Sequence, residues 1–196
     1  MPQLLMIITS AILTGLAQQP LSLGWLAWFS LIPFIIGIRN IGSFKKHLKL
    51  GFTWGFFYNL TIIFWIAQNL GTNLTISVIS MFSAVILFSM NTVLITVTYY
   101  FVKKRIGKLS YLLLPFIWIS VEYFRSFGAL ANPWISLANT QIDYLTLIQN
   151  AEYTGIYGIS FWIVLLNLLG YEWYCEKNKE SAFSWLTIYC LPWITG

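Results

Sequence analysis

The stretch LTISVISMFSAVILFSMNTVLITVTYYFV, from Leu74 to Val102, runs for 29 residues without one Asp, Glu, Lys or Arg. The hydrocarbon core of a bilayer takes about 20 apolar residues of helix, so this run reads as a membrane span at about 76–102, long enough to tilt or protrude. A polar turn, Gly71-Thr72-Asn73, precedes it, and Lys103-Lys104-Arg105 follows. Working outward, 50–70 is a second apolar run, separated by the basic stretch Arg39 to Lys49 from a hairpin of two more, 4–17 and 21–38. Gln18-Gln19-Pro20 turns that hairpin, because proline cannot continue a helix. Downstream lie further runs at 109–127 and 156–174 and a last one at 183–196, cut short at Gly196. The expected fold class is therefore all-α, a polytopic membrane helix bundle of about seven spans with the last truncated. Residues 1–196 form one transmembrane domain, and the segment 128–155, too polar to cross, forms its one long loop.

Composition excludes the alternatives. The 196 residues are 58% hydrophobic, 18% aromatic and 9% charged, against about 25% charged in soluble domains, and mean hydropathy is +0.74. A soluble enzyme, a disordered chain and a disulfide scaffold are all excluded; the two cysteines, Cys175 and Cys190, make no framework. No cleavable signal peptide is expected, since Met1-Pro2-Gln3 lacks a basic n-region and no small-x-small site follows the first apolar run. The net charge of +5 would suit nucleic acid, but its placement argues for topology instead and no nucleic-acid partner is expected. Arg39, Lys45, Lys46, Lys49, Lys103, Lys104, Arg105, Lys108, Lys177 and Lys179 all fall in alternate connections, and only Arg125 does not. The positive-inside rule then predicts a cytoplasmic N-terminus, with the loop 128–155 on the outer face. Trp25, Trp65, Trp134 and Trp193 are expected at the outer interface, and Trp54 and Trp173 at the inner one.

An ionisable group at membrane depth is a functional candidate, because placing it there is costly. Glu122 and Arg125, three residues apart, share one helix face and either satisfy each other or orient a lipid headgroup or the following loop. Gly51-x-x-x-Gly55 suits close helix packing. Asn59, Asn69 and Asn91 are candidates for hydrogen bonds between helices. In the loop, Asn132-Pro133-Trp134, Gln141-Ile142-Asp143 and Glu152 gather polar and aromatic groups suited to an amphiphilic ligand, and Asp143 is expected to cap a short interfacial helix carrying Leu145, Ile148 and Ala151 and stopped by Gly155. Cys175 with Glu176 offers no activated thiol: the one histidine, His47, is in another connection, and carboxylates raise a thiol pKa. No catalytic residue, metal site or cofactor site is expected in this chain.

Several stretches in order resemble the N-terminal membrane region of bacterial apolipoprotein N-acyltransferases. They are Leu16-Ala17-x-x-Pro20 with Leu23-Gly24-Trp25-Leu26-Ala27-Trp28, Gly51-x-x-x-Gly55 with Trp65-Ile66, and Trp118-x-x-x-Glu122-x-x-Arg125. Asn132-Pro133-Trp134 and Gln149-x-Ala151 with Thr154-Gly155-x-Tyr157-Gly158-x-Ser160-Phe161 complete the set. Two departures stand in the loop: Ala131-Asn132 where the family usually has Gly-Phe, and Ala138-Asn139-Thr140 where it often has Gly-Tyr-Ser.

The resemblance implies an enzyme that moves an acyl chain from a phospholipid donor to the N-terminal diacylglyceryl-cysteine of an apolipoprotein acceptor, in the bacterial cytoplasmic (inner) membrane. The chemistry would be ping-pong through a cysteine thioester, assisted by a glutamate and a lysine. Those residues belong to a nitrilase-like domain that follows the seventh helix and is missing from this chain, which is therefore expected to be a fragment of a longer one. On this reading the bundle admits lipid laterally, while Glu122, Arg125, Pro133, Trp134 and Gln141 bind substrate or support the loop. The competing reading is a freestanding, non-catalytic membrane protein that binds lipid or a partner. A small transporter fits poorly, for want of paired broken helices.

Overall fold

The computed structural model of the chain describes residues 3–128, 131–175, 177 and 179–196. Met1 and Pro2, the start of the long loop at Ala129 and Leu130, Glu176 beside Cys175, and Asn178 lie outside the described residues. Every regular element among the described residues is a helix, with no strand.

Leu74 to Val102 lies within one helix, α4 (Leu74–Ile106), begun where the Asn73 side chain accepts the Thr75 amide at 2.8 Å. Such a cap contributes about 1 kcal/mol. Gly107, at φ 67°, ends it in a conformation that a side chain would strain. At 33 residues and 1.5 Å per residue the helix is about 50 Å long, well beyond a bilayer core. It is apolar all round, and Ile76, Ile79, Phe82, Ile86 and Leu94 stand exposed along it, as a lipid-facing helix requires.

Helix α3 (Phe44–Ile63) packs along α4 more extensively than any other pair of elements. Gly51 and Gly55 make the contact possible. A Cβ on Gly55 would lie 2.8 Å from the Ser89 Cα, and one on Gly51 would lie 2.9 Å from the Thr92 carbonyl oxygen. Small residues let the two backbones approach, and dispersion then holds helices that lipid gives no hydrophobic reason to associate.

Helix α1 (Gln3–Leu16) lies against α3 and against α2 (Ile32–Arg39). Its polar residues are consumed internally: Trp54 Nε1 donates to Ser10 Oγ at 3.0 Å, and Ser10 donates to the Ser30 carbonyl at 2.6 Å. The region 21–38 is not one continuous helix. A 3-10 turn, Gly24–Trp28, precedes α2, for a reason that lies in the long loop. The region 109–127 is likewise a 3-10 segment, Gly107–Leu113, leading into α5 (Leu114–Phe124). Beyond the loop and its short α6 (Leu145–Ile148), α7 (Ala151–Cys175) contains Gly155 at φ 65°, which sets one turn apart from the long helix, and α8 (Lys179–Thr195) packs against α7. Among the described residues, three segments are long and apolar enough to cross a membrane, Phe44–Gln68, Leu74–Phe124 and Ala151–Cys175, with shorter apolar helices at Gln3–Leu16 and Gly24–Arg39.

Basic residues gather at one end. Lys103 Nζ donates to the carbonyls of Arg39 and, at 2.9 Å, Ile41. The Arg39 guanidinium lies over the rings of Tyr111 and Tyr171, 4.4 and 4.9 Å from their centroids.

Trp54 corrects the expectation of an aromatic belt. It is 1% exposed, stacked on Tyr58 at 4.7 Å, and belongs to the core. Trp25, Trp65, Trp134 and Trp173 are exposed.

Candidate functional site

Glu122, on α5, is 4% exposed and accepts three hydrogen bonds. Trp118 Nε1, one turn earlier, donates to Oε1 at 3.1 Å; the Leu137 amide donates to Oε1 at 3.0 Å; the Ser136 hydroxyl donates to Oε2 at 2.8 Å. The last two donors come from the long loop, so the carboxylate clamps that loop to the bundle. The proton chain behind the clamp is consistent: the Ala138 amide donates to Ser160 Oγ at 3.1 Å, and Ser160 Oγ lies 3.0 Å from Ser136 Oγ, leaving the Ser136 proton for Glu122. Buried donors that each find an acceptor rigidify such a network.

Arg125 sits one turn beyond, with Nη2 3.6 Å from Glu122 Oε1. That is an ion pair without a hydrogen bond. The pair does not satisfy itself: the carboxylate's hydrogen bonds come from Trp118, Ser136 and Leu137, and Nε and Nη2 of Arg125 are buried with no hydrogen-bond partner among the described residues.

The loop is tied down at further points. Gln18 Nε2 donates to Tyr58 Oη at 2.8 Å and to the Ser136 carbonyl at 3.0 Å, and the Tyr58 hydroxyl donates to the Ile135 carbonyl at 2.9 Å. Gln141, fully buried, receives the Trp28 indole N–H at 2.9 Å and donates to the Gly24 carbonyl at 3.0 Å. This contact explains the break in the region 21–38. The loop lies so close that a Cβ on Gly24 would stand 2.1 Å from the Thr140 carbonyl oxygen. Pro133 opens a single turn, Pro133–Ile135, whose carbonyls at 133 and 134 accept from Asn139 Nδ2 at 3.1 and 2.7 Å, and Trp134 projects outward at 82% exposure.

Of the residues singled out in the sequence, the fold brings Glu122 and Arg125 together, seats the residues just after Pro133 and Trp134 on Glu122, and uses Gln141 at a separate point on the Gly24–Trp28 turn. Asp143 does not cap α6, whose N-cap position is Tyr144; it accepts instead from Gln19 Nε2 at 2.8 Å. Asn59 donates within its own helix, to the Gly55 carbonyl at 2.7 Å, and the Asn69 side chain accepts the Gly71 amide at 2.9 Å in a turn. Asn167 does join elements, donating to the Ala27 carbonyl at 2.7 Å and accepting the Leu31 amide at 2.8 Å. Ser136 and Tyr58 carry no signal in the sequence beyond a polar group among apolar residues, while Gln18 reads only as part of the Gln18-Gln19-Pro20 turn and Ser160 only as part of the stretch from Thr154 to Phe161.

Fold and site together define a polytopic membrane domain that fixes a long connecting loop on one buried carboxylate. Residues 10–169 match a family described as the apolipoprotein N-acyltransferase N-terminal domain, and the chain belongs to this family. It is 32% identical over 157 residues to the apolipoprotein N-acyltransferase of Chlorobaculum tepidum, covering 79% of this chain and 28% of the relative. It is 31% identical over 173 residues to that of Geobacter metallireducens, covering 84% and 32%, and 28% identical over 185 residues to that of Thermotoga maritima, covering 90% and 36%. The chain thus spans about a third of the length of these relatives, 28 to 36%.

Proposed function

We propose that this chain is the membrane domain of an apolipoprotein N-acyltransferase, which transfers an acyl chain from a phospholipid to the N-terminal diacylglyceryl-cysteine of lipoproteins. The observation that carries the reading is the family match over residues 10–169, joined to relatives of that name along 79 to 90% of the chain. The rest of the relatives' length would supply the acyl-transfer centre. The part played here is to hold the long loop, through Glu122, Gln18 and Gln141, as a fixed platform at one membrane face, where Trp134 is free to meet substrate or another domain.

The gathering of Arg39 and Lys103 at one end supports a cytoplasmic basic end and an outer loop, with the N-terminus cytoplasmic in a multi-pass inner-membrane protein. Intact mass of the native polypeptide, with the coding frame read past Gly196, tests the reading. A frame that runs on for hundreds of residues with a Glu, Lys and Cys nitrilase pattern is the expected result. A native chain ending at Gly196 with no separately encoded catalytic partner would overturn it.

A further inference from the structure

The end of the bundle away from the long loop carries unbalanced charge on an aromatic floor. Phe44 opens α3, and its ring lies 5.6 Å from that of Tyr100 and 6.0 Å from that of Phe101, near the end of α4. This contact sets two groups of cations side by side: Lys45 and Lys46 in the first turn of α3, and Lys104 and Arg105 in the last turn of α4. All four are exposed, and among the described residues none of their side chains makes an ion pair or a hydrogen bond. Lys103 differs, since its ammonium is held by the carbonyls of Arg39 and Ile41. Glu172, at the same end, is already occupied: its two oxygens accept from the Tyr111 and Ser181 hydroxyls at 2.6 and 2.8 Å.

Four clustered cations repel one another until an anion joins them. The dipole of α4 favours its own pair, but that of α3 works against Lys45 and Lys46. The rings say which anion fits. Phe44 is 39% exposed and Phe101 54%. Phenyl groups left open beside cations suit a partner charged at its head and apolar behind it, as a lipid at headgroup depth is, rather than an acidic protein or a free ion. Cations from two helices meet over one floor, so a headgroup with two phosphates pairs with both groups at once. The surface is separate from the clamped loop: Tyr58, whose hydroxyl meets the loop at Ile135, stands about 21 Å further along α3.

We propose that the start of α3 and the end of α4 form a docking surface for a doubly anionic lipid headgroup, with one phosphate on Lys45 and Lys46, the other on Lys104 and Arg105, and the glycerol and chains against Phe44 and Phe101. The surface rests neither on the acyl-transfer reading nor on which membrane face is cytoplasmic. Native mass spectrometry of the purified chain in detergent tests it, with cardiolipin, phosphatidylglycerol, phosphatidylcholine and a hexaglutamate peptide as separate probes. Wild type should retain cardiolipin best, phosphatidylglycerol next and phosphatidylcholine least. Each basic residue at such a surface is worth about a fivefold change, so Lys45→Gln with Lys46→Gln should lower cardiolipin retention by at least about tenfold, as should Lys104→Gln with Arg105→Gln. Phe101→Ala, which keeps every charge, should lower it too. Lys177→Gln with Lys179→Gln removes as much charge from the same end and should leave retention unchanged. The substituted side chains are all exposed, so the variants keep the fold. Cardiolipin held no better than phosphatidylglycerol by wild type, an equal loss from the Lys177 and Lys179 pair, or the peptide held as tightly as cardiolipin would each overturn the site. The readout is lipid retention and not acyl transfer, so its failure leaves the family reading standing, and a failed acyl-transfer assay leaves this site standing.

Discussion

Glu122 shows why a buried charge in this chain is a structural hinge point rather than an ornament of its helix. Three donors from two separate parts of the chain converge on it, and Arg125 lies at ion-pair distance. Glu122→Ala removes the acceptor of each and leaves the guanidinium buried alone, which costs about 3–5 kcal/mol when one partner of a buried pair is lost. Thermal unfolding in detergent should show a clear drop in apparent Tm, with Glu122→Gln falling less because an amide oxygen still accepts. An unchanged Tm in the alanine variant would contradict the clamp. Gly24 gives a second test at this scale. Gly24→Ala drives a methyl into the Thr140 carbonyl, whereas Gly42→Ala meets nothing within 4 Å. The first should free the loop to added protease, and the second should leave it as resistant as the wild type.

Among the elements, α3 and α4 carry the most intimate contact, and it depends on Gly55 lying against Ser89. Gly55→Leu should destabilise the bundle by about 1–3 kcal/mol through overpacking, read as a lower apparent Tm and a broadened elution profile. A wild-type profile would mean that the helices are held elsewhere. How much of these elements was legible beforehand depends on what each one packs against. The apolar run at Leu74 to Val102 announced α4, and Gly51 and Gly55 marked the face that meets it, because length, hydropathy and small-residue spacing act locally. The break at Gly24–Trp28 was not legible, since it is imposed by Thr140 and Gln141, more than 110 positions away. Asp143 looked like a cap for the same reason: its partner, Gln19, comes from the first hairpin turn, and no local pattern encodes that meeting. Of the site, Glu122 and Arg125 stood out as charges in an apolar run, while Ser136, Ser160 and Gln18 carry no charge and become visible only when the loop is folded back.

For the molecule as a whole, orientation is the quantity that links charge to function. In a background with Cys175→Ser and Cys190→Ser, Lys45→Cys and Lys108→Cys should react with an impermeant thiol reagent only from the cytoplasmic side, and Asn139→Cys only from the outside. Labelling of all three from one side would contradict the topology.

The most direct test of the account as a whole is an acyl-transfer assay on a chimera, in which residues 10–169 replace the matching region of one of the full-length relatives. The product to measure is the N-acylated form of a diacylated lipopeptide, with phospholipid as donor, by mass spectrometry. The account predicts turnover within about tenfold of the parent enzyme and its loss, by about a hundredfold or more, when the same chimera carries Glu122→Ala. A well-folded chimera that acylates nothing, or one whose rate is indifferent to Glu122, would contradict it.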